Sequence, residues 1–580
     1  MKAGKTGDIA WAVWPFAVSG ILLTVMQPPF SWWWFGWVCM VPFVCACRPE
    51  GKGGQLAAAA YVISVFYWSG NLYWIFPVTW LGWLAFCLYT ALLWPVLVFG
   101  VRYCRRKKIP LFIAVPILVV GAERLQGLFL GGFFWRFLGH SQYSNIELIQ
   151  IADIFGAGGV SFVVGMVNGL AADLIISVGQ KKILKISNFV GVAVVVAAVV
   201  GAVSYGRWRV EQSEAFITDG PVVASLQSNV PQSVKESSQA SEEIFADLME
   251  SSKEAVKAGS ELIIWPETMV QATLDASVLM LLDPLHSYRI YDEALREHAK
   301  DKAFVLVGSY GGEARIEEDF TIRLVKKYNS AFLYGPDGQQ SRQQYHKIHL
   351  VPFGEVVPFR ESAAWLHKVL MKFTPYDYDY SLDYGSEYTV FEMTESGGEQ
   401  SYRFSVMICY EDTVPAIARR FTREQKGQKQ IDWLVNISND GWFVRFKGGE
   451  VLPSTELSQH TAICVFRAVE NRLCVVRSVN TGVSCLIDSL GRIRDGYSSG
   501  SEDFEFEAME RRGVAGWFAD KVPIDRRVTF FSKYGQWLDF CCAVCLVVVI
   551  IVPPVRRFDK RRRYKAHLSR RPNAEDVRES

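Results

Sequence analysis

An α/β layered domain set into an α-helical membrane bundle of eight spans is the fold class this 580-residue sequence predicts. Three observations predict it. Eight apolar runs approach the ~20 residues that a helix needs to cross a bilayer. Basic residues cluster on alternate links between those runs. From 211 to 520 the pattern changes, and short apolar runs alternate with helical stretches, as in a layered α/β domain.

The spans are expected near 9–26, 30–47, 56–76, 80–101, 109–128, 154–178 and 188–206, with an eighth near 535–553. No cleavage motif flanks the first, which is read as retained. Lys2 and Lys5 precede the first span. Arg48 and Lys52 follow the second, Arg102, Arg105, Arg106, Lys107 and Lys108 the fourth, and Lys181, Lys182 and Lys185 the sixth. A basic run at 556–571 follows the eighth, while links 27–29 and 77–79 carry no charge. Positive charge stays inside, so both termini are expected in the cytoplasm and the domain between spans seven and eight outside. The chain thus divides into a seven-span bundle (1–210), an extracytoplasmic domain (211–520), a C-terminal span (521–555) and a basic cytoplasmic tail (556–580). With 61 basic and 59 acidic residues, net charge suggests no nucleic-acid partner. The tail beside a helix end reads as an orientation and lipid-surface signal.

The link between spans five and six is too patterned for a simple connector. Glu123-Arg-Leu-Gln-Gly127, Phe133-Phe-Trp-Arg136 and Leu138-Gly-His-Ser-Gln142 mix aromatics, glycines and isolated charges. An outer interfacial or re-entrant segment at 123–150 is expected. Arg136 or Arg124 is a candidate contact for a lipid phosphate, with interfacial snorkelling the competing role.

In the extracytoplasmic domain, strands are expected at 222–226, 262–265, 304–307, 331–334, 404–408, 433–437, 474–476 and 483–487, and helices at 241–258 and 458–471. The intervals 275–303 and 361–402 fit neither pattern. They read as lids or insertions, the second with Tyr376, Tyr378 and Tyr380 alternating.

Three stretches carry chemistry. Ser405-Val-Met-Ile-Cys-Tyr-Glu-Asp412 is a short apolar strand that ends on a thiol followed by two acids. Alone it favours a buried packing role for Cys409. Glu261-Leu-Ile-Ile-Trp-Pro-Glu267 is another apolar strand, ending on a carboxylate. The loop-like stretch 345–358 holds Lys347 and Glu355. A thiol nucleophile, a carboxylate base and an ammonium for the oxyanion are the parts of covalent acyl transfer. The twelve cysteines match neither a zinc site nor a disulfide framework. Cys542-Ala-Val-Cys545, inside an apolar run, reads as packing. His346 and His349 flank Lys347 without metal-site spacing. Neither a metal nor a cofactor is expected.

Trp-Pro-Glu267, Lys347 and Cys409 resemble the Glu-Lys-Cys triad of the nitrilase superfamily. His349-Leu-Val-Pro-Phe-Gly-Glu-Val-Val-Pro-Phe359 and Ile408-Cys-Tyr-Glu411 resemble its membrane-embedded branch, the apolipoprotein N-acyltransferases. The resemblance implies a nitrilase-type αββα sandwich inserted in the bundle. It makes Cys409 the nucleophile, Glu267 the general base and Lys347 the oxyanion donor. Glu355 would support the lysine or a proton transfer, and Tyr410 and Glu411 would shape the oxyanion site and carbonyl-side pocket. Asn436-Ile-Ser-Asn-Asp-Gly-Trp442 is similar to the family's strand-end segment, so Asn439 and Asp440 would line the cleft, although Trp442-Phe443-Val444 departs from the usual string. Gln459-His460 resembles the start of a family helix. The implied partners are a phospholipid acyl donor, a diacylglyceryl-modified apolipoprotein acceptor and membrane lipids. The implied place is the bacterial inner membrane, with the catalytic domain in the periplasm. A membrane-anchored amidase or nitrile hydrolase would use the same triad. A transporter would place ionisable residues deep in the spans, where few are visible, such as Asp173 and Asp539 near the ends.

Overall fold

The computed structural model describes residues 5–128, 131–235, 238–319, 321–360, 362–374, 378–395, 398, 400–423, 427–501 and 504–568. Lys2, Tyr376 and the tail beyond 568 lie outside the described residues.

The N-terminal half is helical: α1 (Lys5–Val25), α2 (Val41–Ala46), α3 (Gly53–Asn71), α4 (Trp80–Thr90), α5 (Leu93–Arg106), α6 (Leu111–Gln126), α7 (Ile146–Ile149), α8 (Ala152–Phe155), α9 (Ala157–Gly179) and α10 (Ile186–Glu211). Among the described residues, three helices are long and apolar enough to cross a membrane: Trp80–Arg106, which joins α4 to α5, then Ala157–Gly179 and Ile186–Ala215. Shorter apolar helices lie at Val13–Val25, Trp33–Ala46 and Trp537–Val552.

The stretch expected as one span at 30–47 is an apolar stretch broken into a 3-10 turn, Trp33–Trp37, and the six-residue α2. Pro42 sits in the first turn of α2. Its ring tolerates a helix start but removes the donor a continuing helix would need. Close helix contact elsewhere depends on small residues. A Cβ on Gly169 of α9 would stand 2.1 Å from the Leu111 carbonyl oxygen of α6.

Among the described residues, the C-terminal half holds sixteen strands. The first six are β1 (Ile217–Gln227), β2 (Leu262–Ile264), β3 (Val270–Thr273), β4 (Phe304–Ile316), β5 (Ile322–Tyr334) and β6 (Gln340–His346). Next come β7 (Phe391–Thr394), β8 (Ser401–Ile408), β9 (Trp433–Ser438), β10 (Arg445–Lys447) and β11 (Glu450–Leu452). The last are β12 (Cys474–Val479), β13 (Cys485–Ile487), β14 (Ile493–Arg494), β15 (Ser498–Gly500) and β16 (Gly516–Asp525). One sheet runs β15-β16-β1-β2-β4-β5-β6, with β3 on β4, and the other β14-β13-β12-β9-β8-β7; β10 and β11 form a hairpin. The helices of this half are α11 (Gln232–Lys235), α12 (Ser238–Lys257), α13 (Ala276–Leu279), α14 (Ser287–Ala299), α15 (Ala364–Leu370), α16 (Pro415–Phe421), α17 (Thr455–Asn471) and α18 (Phe530–Tyr534). The chain returns to the bundle as α19 (Trp537–Leu568). There the Cys542 carbonyl lies so near Gly121 of α6 that a Cβ would meet it at 2.6 Å.

Alternation along the strands builds the layers. Leu262, Ile264 and Leu306 face the second sheet, where Val406, Ile408, Val435 and Val476 meet them. Their neighbours Ile263, Trp265, Val305 and Val307 face outward, onto Ile244 and Leu248 of α12 and Tyr291 and Leu295 of α14. α16 and α17 cover the other sheet through Ile417, Phe421 and Phe466. The result is the αββα sandwich.

Two expectations change here. The interval 275–303 is neither lid nor insertion: Tyr291, Leu295 and Ala299, spaced i, i+4 and i+8, make α14 an outer layer. In 361–402, an extended strap lies beside the lysine loop, with Leu382 N–H donating to the Glu355 carbonyl and Gly385 N–H to the Lys347 carbonyl, both at 2.8 Å. It then becomes edge strand β7. The outer link is also buried. Trp135 is 2% exposed, and its indole N–H donates to Gln459 Oε1 at 2.8 Å. The link seats the sandwich on the bundle.

Candidate active site

Four strand ends supply the site. β2 runs out into Trp265-Pro266-Glu267, β6 into Lys347, β8 into Cys409 and β9 into Asn439. β2 and β8 lie in facing sheets, so their carboxyl ends open on one rim. Cys409 has a left-handed backbone, φ 53°. That conformation costs a non-glycine residue about 1–3 kcal/mol and persists only where its surroundings impose it. Asn436 helps impose it, because its amide donates to the Cys409 carbonyl at 3.2 Å and the Met407 carbonyl at 3.3 Å.

Lys347 is 1% exposed. Its ammonium donates to Glu267 Oε1 at 3.2 Å and lies 2.8 Å from Glu355 Oε2. Burial opposes its charge, but Glu267 and then Glu355 outweigh burial and hold it well above the ordinary lysine value. Both carboxylates are further fixed. Glu267 Oε2 accepts the Asn439 backbone N–H at 2.7 Å, and Glu355 Oε2 accepts the Val351 N–H at 2.9 Å. Asn329, on β5, bridges them by donating to Glu267 Oε1 at 2.6 Å and Glu355 Oε1 at 2.8 Å. Burial pushes the Cys409 thiol well above its usual range; Glu267 adds to the rise and Lys347 opposes it. The resting sulfur is therefore a neutral thiol.

The structure thus brings Glu267, Lys347, Glu355 and Asn439 into one hydrogen-bonded group beside the Cys409 turn. Asn439 acts through its backbone, while its side chain donates to Gln232 and accepts from Asn480. Glu411 differs from expectation. Its Oε1 accepts from the Ile348 and His349 N–H groups at 2.8 and 2.9 Å. Its Oε2 accepts from Tyr345 Oη and the Ile408 N–H, both at 2.8 Å. Both oxygens are spent clamping the lysine loop to the cysteine strand, so Glu411 does not line the pocket. Burial pushes its carboxyl up to about 7 while its backbone donors pull it back. Tyr410 points to the bundle: its hydroxyl donates to the Gly132 carbonyl at 2.7 Å and its ring stacks on His349 at 5.9 Å. His346 donates to or accepts from Ser330 at 2.7 Å and stacks on Tyr328.

Arg136 neither reaches a lipid phosphate nor snorkels. It is 8% exposed, donates to the Leu23 carbonyl at 2.9 Å and the Thr24 carbonyl at 3.3 Å, and lies over the Tyr67 ring. The last turn of α1 leaves those carbonyls without helical partners. Arg124 donates to Gln536 at 3.1 Å.

Sequence reasoning passed over Asn329 and Tyr345, which no motif marks. It also missed the ionic cluster behind Cys409. There His460 Nε2 lies 2.7 Å from Asp412 Oδ1, and Arg477 pairs with the other oxygen of Asp412. Ser438 donates to Asp440 Oδ1 at 2.6 Å. Asp440, Glu456 and His460 are the one group among the described residues with the spacing to hold a metal ion. A cavity of about 620 Å³, lined by Glu261, Phe304, Gln340 and Glu392 among others, opens at the opposite strand ends, away from Glu267.

Comparison with known proteins adds to this geometry. A model of the apolipoprotein N-acyltransferase N-terminal domain matches residues 19–170, and a carbon-nitrogen hydrolase model matches 222–513. The apolipoprotein N-acyltransferase of Geobacter metallireducens is 30% identical over 92% of this chain and 93% of its own. That of Chlorobaculum tepidum is 25% identical over 93% and 96%. Among solved structures, an amidase from Nesterenkonia sp. covers 53% of this chain and 92% of its own at 14% identity and a TM-score of 0.33, too remote to carry residue roles.

Proposed function

Because this chain belongs to the apolipoprotein N-acyltransferase family, we propose that it moves a fatty acyl group from a phospholipid to the α-amine of a diacylglyceryl-cysteine at an apolipoprotein N-terminus. The chain is an acyltransferase with a carbon-nitrogen hydrolase catalytic domain.

The observation that carries the reading is the Glu267–Lys347–Glu355 group beside a neutral, strained Cys409, on a rim tied to the bundle by Tyr410. In the first step Cys409 Sγ attacks the ester carbonyl carbon, and Glu267 takes the thiol proton. Lys347 donates to the oxygen that becomes negative. As the tetrahedral adduct collapses, the C–O bond breaks and the leaving lysophospholipid oxygen takes the proton back from Glu267. A thioester remains. In the second step the neutral amine of the acceptor attacks that thioester. Glu267 accepts the amine proton and passes it to the departing Cys409 sulfur, leaving an amide.

A rim at the bilayer surface spares the enzyme the extraction of acyl tails, which costs ~0.8 kcal/mol per methylene. The alternating basic links support eight spans, cytoplasmic termini and a periplasmic catalytic domain in the bacterial inner membrane.

The test is to incubate the purified protein with phospholipid labelled in its acyl chains, without acceptor. A hydroxylamine-sensitive label on the protein, absent in Cys409→Ala and released as amide when diacylglyceryl-peptide is added, is expected. Label on the Cys409→Ala variant would refute the nucleophile. Rapid release to water as free fatty acid would favour a hydrolase.

A further inference from the structure

We infer that Asp440, Glu456 and His460 form a site for a single first-row divalent cation of the zinc class, one layer behind the catalytic rim. The three side chains are at most 2% exposed, and their ligand atoms lie within 4.8 Å of one another.

The tautomer is the first argument. His460 Nε2 lies 2.7 Å from Asp412 Oδ1, and Arg477 holds that carboxylate ionised from its other side. Nε2 therefore carries a hydrogen, and Nδ1 is the ring atom left to face the cluster. A histidine that ligates a metal through one nitrogen usually donates the other N–H to a carboxylate in this way.

The second argument is direction. Asp440 Oδ1 lies 3.4 Å from Nδ1 and Glu456 Oε1 lies 3.2 Å from it. Neither oxygen is aligned to accept a hydrogen bond from Nδ1, which has no such partner. Two acceptors thus lie close to one nitrogen, and neither is bonded to it. A proton serves one acceptor, whereas a cation between the three atoms serves both. Tetrahedral zinc with ligands at about 2.0–2.1 Å sets ligand atoms about 3.3 Å apart, close to the 3.4 and 3.2 Å that separate Nδ1 from the two oxygens. Asp440 Oδ2 and Glu456 Oε2 are also buried without a hydrogen-bond partner.

Charge is the third. Asp412, Asp440 and Glu456 against Arg477 leave two uncompensated negative charges if His460 is neutral. A buried charge without a partner is strongly disfavoured. A divalent cation balances the cluster, and so would two protons, one on His460 and one on Glu456; metal content separates the two arrangements. One nitrogen and two carboxylates suit zinc or its first-row neighbours better than magnesium. The ion would pin Asp440, and so the turn whose Asn439 N–H holds Glu267 at 2.7 Å.

The test is metal content, which does not depend on turnover. The full-length protein in detergent, with no affinity tag, is loaded with zinc alone, dialysed and assayed by plasma mass spectrometry. About one zinc per chain is expected, falling at least tenfold in Glu456→Gln and in His460→Asn. X-ray absorption of the zinc-loaded wild type covers the case of a variant that does not fold: one imidazole nitrogen with oxygen neighbours at about 2.0–2.2 Å is expected. Wild type that keeps no zinc shows that protons alone hold the cluster and overturns the inference. Sulfur in the zinc shell, or zinc retained by both variants, overturns it as well.

Discussion

Glu411 separates two accounts of the same motif. Read as a pocket residue, it would act on the reacting carbonyl. The geometry makes it a bracket, because four donors converge on it: Ile348 N–H, His349 N–H, Ile408 N–H and Tyr345 Oη. Glu411→Ala strands three backbone donors at about 1–3 kcal/mol each, while the tyrosine hydroxyl can turn away. The sum, about 3–9 kcal/mol, is a large share of the ~5–15 kcal/mol that holds a domain together. Glu411→Gln is the informative variant. Its amide oxygen still accepts from Ile348 and His349, and its NH2 can donate to Tyr345 Oη. Only Ile408 N–H then faces a donor, at a cost of about 1–3 kcal/mol.

The assay pairs thermal unfolding, followed by tryptophan fluorescence in detergent, with the rate of thioester formation well below the unfolding midpoint. A bracket predicts that Glu411→Gln loses stability and keeps its thioester rate within about tenfold, because Lys347 stays between its carboxylates. A variant as stable as wild type but slowed about 100-fold, the size expected for a lost oxyanion contact, would refute the bracket.

Lys347→Ala should slow thioester formation about 10²–10³-fold, and Lys347→Arg should not restore it, since a planar fork cannot replace a point charge between two buried carboxylates; a rescued rate in single-turnover labelling would count against the oxyanion role. Lys429 is buried, and burial pushes its pKa down to about 7, with Asp525 opposing and Arg472 and Arg527 adding to the fall. Its folded value lies below its unfolded one, so between pH 7 and 10.5 the unfolded chain binds the extra proton and stability rises with pH. Unfolding midpoints should climb over that window in wild type, with the penalty fully present below about pH 7, and the climb should flatten in Lys429→Met; an unchanged slope would show that Lys429 is not responsible.

What the sequence showed and what it hid follow from the range of the interactions. An apolar strand ending on a carboxylate or a thiol is local, so Glu267 and Cys409 could be placed on strand ends from a few residues each. The partners of Glu411 lie 62, 63 and 66 positions away, apart from Ile408, and no local pattern reports such a bracket. Asn329 sits in a strand that is exposed in its first half and buried in its second, and its bridging of two carboxylates exists only once β5 lies beside β6. Arg136 looked like an interfacial charge because its aromatic neighbours suggested a membrane face. The fold instead buries residues 132–143 of the link under the sandwich, and the guanidinium closes the end of α1. The α14 stripe at Tyr291, Leu295 and Ala299 was legible by period but masked by the charged residues between.

The rim's charge arrangement explains why a neutral thiol is useful in so dry a place. At rest Lys347 is held charged between Glu267 and Glu355, and the sulfur is a neutral thiol. In the proposed first step, where the thiol attacks and Glu267 takes its proton, negative charge would leave the carboxylate and appear on the substrate oxygen. No net charge is created in the low-dielectric interior, where an uncompensated one would be most costly. Lys347 attends both ends of that migration: it starts 3.2 Å from Glu267 and needs to shift only its hydrogen bonds to follow the charge. Glu355 and Asn329 keep the ammonium from relaxing toward Glu267 alone. A preformed thiolate would gain little here, because its charge would already be buried before substrate arrived. The half-buried position of Cys409, which would hinder a free thiolate nucleophile, suits a mechanism in which base and nucleophile exchange one proton inside a closed group.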